Sequence, residues 1–273
     1  MNRRQFLASS AAALWGLLSP VSAAAAIMPV LKPASRARIA LIIDDIGYSR
    51  RRARRFLSLP IPITYAVLPR LALSRPLAEE IYDAGHQVLL HQPMEPVDSR
   101  FDPGPGALYV RYDEKRIAEI LAENLTEVPH SAGVNNHMGS RFTASAEKML
   151  PALEAVQNRQ RFFVDSLTCS NSTGFRTARG LNLPVARRNV FLDNVRSEAA
   201  VLAQLQRLAG QAIRRGCAVG IGHPFPETAA AIARFIQPAA AAGIEPVYVS
   251  LLLSGPCPVQ GAPSSRADSS ASL

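Results

Sequence analysis

Two aspartates stand side by side at Asp44-Asp45, directly after the apolar run Ile39-Ala40-Leu41-Ile42-Ile43. Adjacent carboxylates repel unless a cation or a shared proton relieves them. The pair therefore marks a metal or acid–base site. A plainer alternative is that one Asp caps the helix beginning near Ser49 and the other is solvated. Further along, His91, His137, Asp165, Asp193 and His223 each follow a short apolar run, so three of the five histidines stand where strands end. Imidazole and carboxylate without thiolate suit Zn²⁺, Fe²⁺, Co²⁺ or Ni²⁺. Three such ligands with one open position would generate a nucleophilic water near neutral pH. His86, at the opposite end of its strand from His91, and His130, in a loop, read as structural or solvated.

These residues need elements to position them. An unbroken β-branched run such as 39–43 reads as a strand buried on both faces, the kind found in parallel sheets. Such sheets place their chemistry at the carboxyl ends of strands. Further strands are expected over 63–67, 87–90, near 132–134, and over 162–164, 190–192, 218–221 and 246–251. Helices fall between them over 49–57, 74–84, 113–127, 144–157, 197–215 and 227–242, and Gly85 is the expected stop signal of the second. The Pro/Gly-rich stretch from Gln92 to about Arg111 is longer than a simple connector, which points to function. The alternation predicts one α/β domain over 36–253 with a mostly parallel sheet. No GxGxxG follows a strand and no GxxxxGK[ST] occurs, so nucleotide binding lacks its signatures. A barrel is the better expectation than an open sheet.

The bulk numbers agree with one such domain: 273 residues, 48% hydrophobic and 19% charged, with ample material for a core. The formal charge is +9, much of it in Arg50, Arg51, Arg52, Arg54 and Arg55. That cluster lacks interleaved aromatics or a nucleic-acid-binding motif, so no nucleic-acid partner is expected and a solvated basic helix face is the reading taken. Cys169, Cys217 and Cys257 have no CxxC spacing, which excludes a zinc knuckle. Cys217 belongs to the core, and a bridge between Cys169 and Cys257 is an open alternative. Residues 1–26 carry Asn2-Arg3-Arg4-Gln5-Phe6-Leu7, an apolar run to Leu18 and small residues from Val21 to Ala26. This resembles a twin-arginine export signal and implies a periplasmic or secreted protein, with no stable membrane span once the signal is removed. The tail 254–273 reads as disordered.

Taken together, Asp44-Asp45, Gly85-His86 through His91-Gln92-Pro93-Met94-Glu95-Pro96, Asn135-Asn136-His137-Met138-Gly139-Ser140, Phe163-Val164-Asp165-Ser166 and Ile221-Gly222-His223-Pro224 resemble the divergent polysaccharide deacetylases. That family is a remote branch of the NodB-homology carbohydrate esterases, and the likeness covers about Arg38 to Leu253. It implies a distorted (β/α) barrel of about seven mostly parallel strands and metal-dependent removal of acetyl groups from polysaccharides. Mapped here, Asp44 would be the base, Asp45 and His91 metal ligands, and His223 the general acid, with Asp165 orienting it or binding substrate. The wider family's second histidine of the motif is Glu95 here, and its Arg-Pro-Tyr motif is missing. His137 becomes the third ligand, while Glu95, Asn136 and Asp193 are assigned to substrate.

The expected cofactor is thus one divalent transition metal, Zn²⁺ first with Co²⁺ or Ni²⁺ as alternatives, and the expected partner an acetylated glycan. Two other functions compete. One is a carbohydrate-binding or scaffold protein of the envelope that keeps the fold without turnover. The other is a metal-dependent phosphoesterase, which the sequence supports with no second ligand cluster.

Overall fold

The computed structural model describes residues 37–253; the export segment, the tail and Cys257 lie outside them. Strand β1 (Ala37–Ile46) leads to helix α1 (Arg50–Leu57), and β2 (Thr64–Val67) to α2 (Ser74–Asp83). Then come β3 (Gln87–Met94), α3 (Glu114–Glu127), β4 (Ser131–Met138), α4 (Ala146–Gln157), β5 (Phe162–Asp165) and α5 (Gly174–Gly180). Two short strands, β6 (Val185–Arg187) and β7 (Val190–Phe191), precede α6 (Glu198–Arg215) and β8 (Cys217–Gly222). The last elements are α7 (Pro226–Ala241), β9 (Ile244–Pro246) and α8 (Val249–Leu253).

The strands form a single all-parallel sheet in the order β6-β5-β4-β3-β2-β1-β8-β7, with β9 added to β1. The edge strands β6 and β7 are separated in the chain by Arg188 and Asn189 alone, so the sheet must curl until its edges nearly meet. Arg188 N–H still donates to Asp165 O at 2.9 Å, while Asn189 N–H donates to Val219 O at 2.8 Å on the other side. The result is the distorted (β/α) barrel that the sequence leads one to expect. Side-chain alternation sorts its two faces. Ala40, Ile42, Ala66, Leu89, Val164, Val219 and Ile221 fill the inside, and Ile39, Leu41, Ile43 and Phe163 meet the helices. Each of Ile39, Leu41 and Ile43 is fully buried, a gain of about 1.5–3 kcal/mol apiece.

Three expected elements differ in extent or type, and two that the sequence did not suggest, α5 and β6, are added. β3 and β4 run to Met94 and Met138, because they extend one another through the pairs His91↔Asn135, Gln92↔Asn136 and Pro93↔His137. His91 and His137 therefore stand inside strands. The last predicted strand, 246–251, is instead β9 followed by α8. Its pairing edge ends early, since β1 offers only Ala37–Ile39 to β9 before β2 takes over at Ile42. The chain then turns under the barrel, where Thr64 Oγ1 and Gln87 Oε1 accept from Val249 N–H and Ser250 N–H at the start of α8. Val249 and Leu252 close the amino end of the interior. Among the cysteines, Cys169 is a free thiol and Cys217 is buried and disulfide-bonded, so Cys169 takes no part in a bridge.

Candidate functional site

Helix α1 is capped by Ser49, whose side chain accepts from Arg52 N–H at 3.4 Å, so neither Asp44 nor Asp45 serves as a cap. A regular strand would send these neighbours to opposite faces. Here the β1–β2 register shifts between Ile43 and Ile46, and Asp45 takes a left-handed φ of 58°. A bulge of this kind re-aims a side chain, and a non-glycine residue held there is a strained feature typical of functional sites. The bulge brings both carboxylates to the carboxyl mouth of the barrel.

Three donor atoms meet at that mouth. His91 Nε2 lies 3.2 Å from Asp45 Oδ1, His137 Nδ1 lies 2.9 Å from the same oxygen, and the two ring nitrogens are 3.1 Å apart. The edge of a tetrahedral zinc site with bonds near 2.0–2.1 Å is about 3.3 Å. Asp45 Oδ1 is buried with no hydrogen bond of acceptable geometry. One more contact settles which nitrogen of His91 faces this triangle. Asn135 Nδ2 donates to Asp44 Oδ1 at 2.8 Å, so its Oδ1 is the atom 2.8 Å from His91 Nδ1. His91 Nδ1 must then carry the hydrogen, leaving the Nε2 lone pair directed at Asp45 and His137. Such crowding around a carboxylate oxygen is relieved by a proton on an imidazole, which the raised pKa of His91 favours in the metal-free protein, or by a metal ion that takes its place. The triad of two imidazoles and one carboxylate suits Zn²⁺, Co²⁺ or Ni²⁺ and leaves a coordination position open. Asp45, His91 and His137 could thus hold one divalent metal.

Electrostatics separate the two aspartates. Burial, the largest influence on Asp44, pushes its pKa up against the pull of His91 and His223. Burial also pushes Asp45 up, yet contacts with His137 and His91 outweigh it and hold that carboxyl well below the usual range. Opposed environments of this kind assign different roles to like groups.

A second pair stands across the mouth. Asp193 Oδ1 accepts from His223 Nδ1 at 2.9 Å, and its Oδ2 accepts from His223 N–H at 2.6 Å and Thr228 Oγ1 at 2.9 Å. His223 Nε2 is left facing Asp45 Oδ2 at 3.8 Å. Burial pulls His223 down, but Asp193 and the site carboxylates raise it from 6.5 to about 9. Because the folded value exceeds the unfolded one, the metal-free protein holds this contribution in full below pH 6.5 and loses it as pH rises through about 9. A shift of this size is about 3 kcal/mol. Thermal melts of metal-free protein between pH 6 and 10 should show that decline, and Asp193→Asn should flatten it.

Other predicted residues fall elsewhere. Asp165 belongs to the outer face of β5, where its Oδ1 accepts from Leu167 N–H and its Oδ2 from Ser172 Oγ and Phe175 N–H. It shapes the loop into α5 and does not line the mouth, which removes the catalytic role expected of it. Glu95 accepts from Val110 N–H at 2.7 Å and pairs with Arg141 at 3.2 Å, tying the long β3–α3 loop to the barrel rather than facing substrate. Asp193 likewise serves His223. Asn136 lines the cavity, but its amide holds Ser166 N–H and Met138 O. His130 stacks on Tyr82, and His86 lies edge-on to Tyr65 at the far end. Sequence reasoning missed Asn135, although it lies two residues before His137 on the same strand face, and it missed Arg188 in the link between β6 and β7.

The mouth opens into a cavity of about 530 Å³, where Asp44, His91, His137 and His223 meet Phe101, Phe191 and Arg188. A smaller one of about 90 Å³, lined by Tyr48, Arg52 and Phe225, shares Asp45 and His223. Of the aromatics near strand ends, Phe101 and Tyr48 are exposed at these walls. Tyr109 packs against Tyr112 and Arg111 instead.

Comparison with known proteins agrees with this architecture. Residues 41–253 match the family described as divergent polysaccharide deacetylase. The uncharacterised protein YibQ of Escherichia coli K12 is 34% identical over 208 residues, 76% of this chain and 65% of that protein. The chain thus spans about two thirds of that relative's length. An uncharacterised protein of Haemophilus influenzae is 30% identical over 198 residues, 72% of this chain and 70% of its own. The crystal structure of an uncharacterised protein from Agrobacterium tumefaciens C58 superposes with a TM-score of 0.77 at 28% identity, covering 80% of this chain and 90% of that one. No described helix is long and apolar enough to cross a membrane.

Proposed function

The chain belongs to the divergent polysaccharide deacetylase family, and from that premise we propose that it is a metal-dependent hydrolase removing acetyl groups from a cell-envelope or extracellular polysaccharide. The observation that carries this reading is the convergence of Asp45 Oδ1, His91 Nε2 and His137 Nδ1 between Asp44 and the His223–Asp193 pair. Asp45, His91 and His137 would hold the cation, with Zn²⁺ the best match to the donor set. When bound, a divalent metal supplies Lewis acidity toward an acetyl carbonyl and lowers the pKa of a water.

The remaining chemistry belongs to the chain. Asp44, raised by burial and fixed through Oδ1 by Asn135, has the basicity to take a proton from the attacking water. His223, kept protonated at neutral pH by Asp193, donates from Nε2 to the departing amine or alkoxide. The cavity is wide enough for a sugar, and Phe101 offers an apolar face to it. Glu95, tied between Val110 and Arg141, leaves the triad intact, so the departure from the wider family's motif does not argue for a purely binding protein. The paired arginines near the amino terminus support export to the periplasm or beyond.

Zinc-reconstituted protein should release acetate from an acetylated glycan panel of chito-oligosaccharide, peptidoglycan and acetylated xylan. Chelation should abolish the release and added Zn²⁺ restore it. Binding without acetate release from any of them would move the protein to the binding-protein reading.

A further inference from the structure

The ionisable side chains lining the larger cavity are Asp44, His91, His137, Arg188 and His223. Four of them face an ionisable partner of the opposite kind: Asp44 with His91 at 3.7 Å, His91 and His137 with Asp45, and His223 with Asp193. Arg188 makes no direct ion pair with any described carboxylate; Asp44 and Asp165 act on its charge only from farther away. Its Nε donates to Ser166 O and its Nη2 to Leu167 O, both at 2.6 Å. These two carbonyls hold the guanidinium plane without neutralising it. Its remaining nitrogen, Nη1, has no partner among the described residues.

The position is also built. Arg188 sits in the two-residue link that closes the barrel, half-buried, with its Cζ 5.0 Å from the centre of the Phe191 ring. Phe191 in turn meets His223 edge-on at 5.3 Å. The cation is therefore held one aromatic ring away from the group that serves the leaving atom. A rigid guanidinium with free donors in a half-buried wall attracts a carboxylate far more than a hydroxyl, because charge-assisted and bidentate hydrogen bonds are the strong ones. A neutral sugar would leave its free donors without a charged acceptor in direct contact.

We infer that Arg188 forms a carboxylate-reading subsite, so that the glycan taken by this cavity is an acidic one whose reacting sugar, or the sugar next to it, carries a carboxylate. The inference rests on the deacetylase reading for its substrate class but is read by binding alone. Two sources share this chemistry, a uronic acid and a lactyl-ether sugar of the muramic type.

The test measures calorimetric affinity of zinc-loaded protein for an acetylated oligogalacturonate and for an N-acetylglucosamine–N-acetylmuramic acid tetrasaccharide. Each is compared with its carboxyl-reduced alcohol. Wild type should bind at least one acid about tenfold or more tighter than its alcohol, and which acid does so identifies the source. Arg188→Met should bring that ratio close to one with zinc stoichiometry unchanged, and Arg188→Lys should keep part of it. Equal affinity of wild type for acid and alcohol overturns the inference whether or not the variants fold, as does a preference that survives in Arg188→Met. Acid preference without acetate release would leave the subsite standing and defeat the hydrolase. Acetate release from neutral chito-oligosaccharide with no acid preference would do the reverse.

Discussion

Asp44→Asn is expected to lower turnover of an acetylated glycan by about a thousandfold while leaving metal stoichiometry unchanged. The substitution keeps the volume of a fully buried side chain and removes only its capacity to take a proton. Asn135 Nδ2, now 2.8 Å from Asp44 Oδ1, can still be received by an amide oxygen. The triad itself uses Asp45, whose oxygen lies 2.9 Å from His137, so the metal does not depend on Asp44. A steady-state assay on the reconstituted variant, with zinc measured in the same sample, separates the two aspartates. Loss of metal from Asp44→Asn would mean that the two carboxylates have been assigned the wrong way round.

The second large effect concerns the leaving group. His223→Ala should cost about a hundred- to a thousandfold on an N-acetyl glycan, whose departing amine needs a proton. On 4-nitrophenyl acetate, whose phenolate leaves unaided, the loss should stay under about tenfold. A structural role for His223 would depress both substrates alike, so the ratio of the two losses is the readout. Asp193 contributes by holding the ring, accepting from both Nδ1 and the backbone N–H of His223.

Much of this site can be read from strand ends. The run Ile39–Ile43 announces a buried strand, and the residues after it face the mouth because parallel barrels open there. Alternation explains where that reasoning stops. On β5, Phe162 and Val164 point inward, which sends Asp165 to the helix layer, a deduction available from the strand itself. On β4, Asn135 and His137 share the inward face, so Asn135 could have been found by the same count. Asp45 breaks the rule in the opposite sense. Only the bulge and a left-handed backbone bring it beside His91 and His137, and nothing in the sequence marks that shift before the register is known. Arg188 escaped notice because β6, three residues long, gives no periodic signal, and its link to the expected strand at 190 becomes part of a wall only once the sheet has curled. The last expected strand differs for a similar reason. Residues 246–251 carry strand-like residues, but β1 has no free edge left for them, and tertiary geometry overrode propensity.

The most direct measurement is zinc content and affinity of the purified protein, by elemental analysis and competitive titration, beside Asp45→Ala and His137→Ala. Asp45, His91 and His137 holding one cation predicts about one equivalent of Zn²⁺ per chain in wild type and at least a hundredfold weaker binding in each variant. Full retention of metal in both variants, or no metal in wild type after reconstitution with Zn²⁺, Co²⁺ or Ni²⁺, would contradict it.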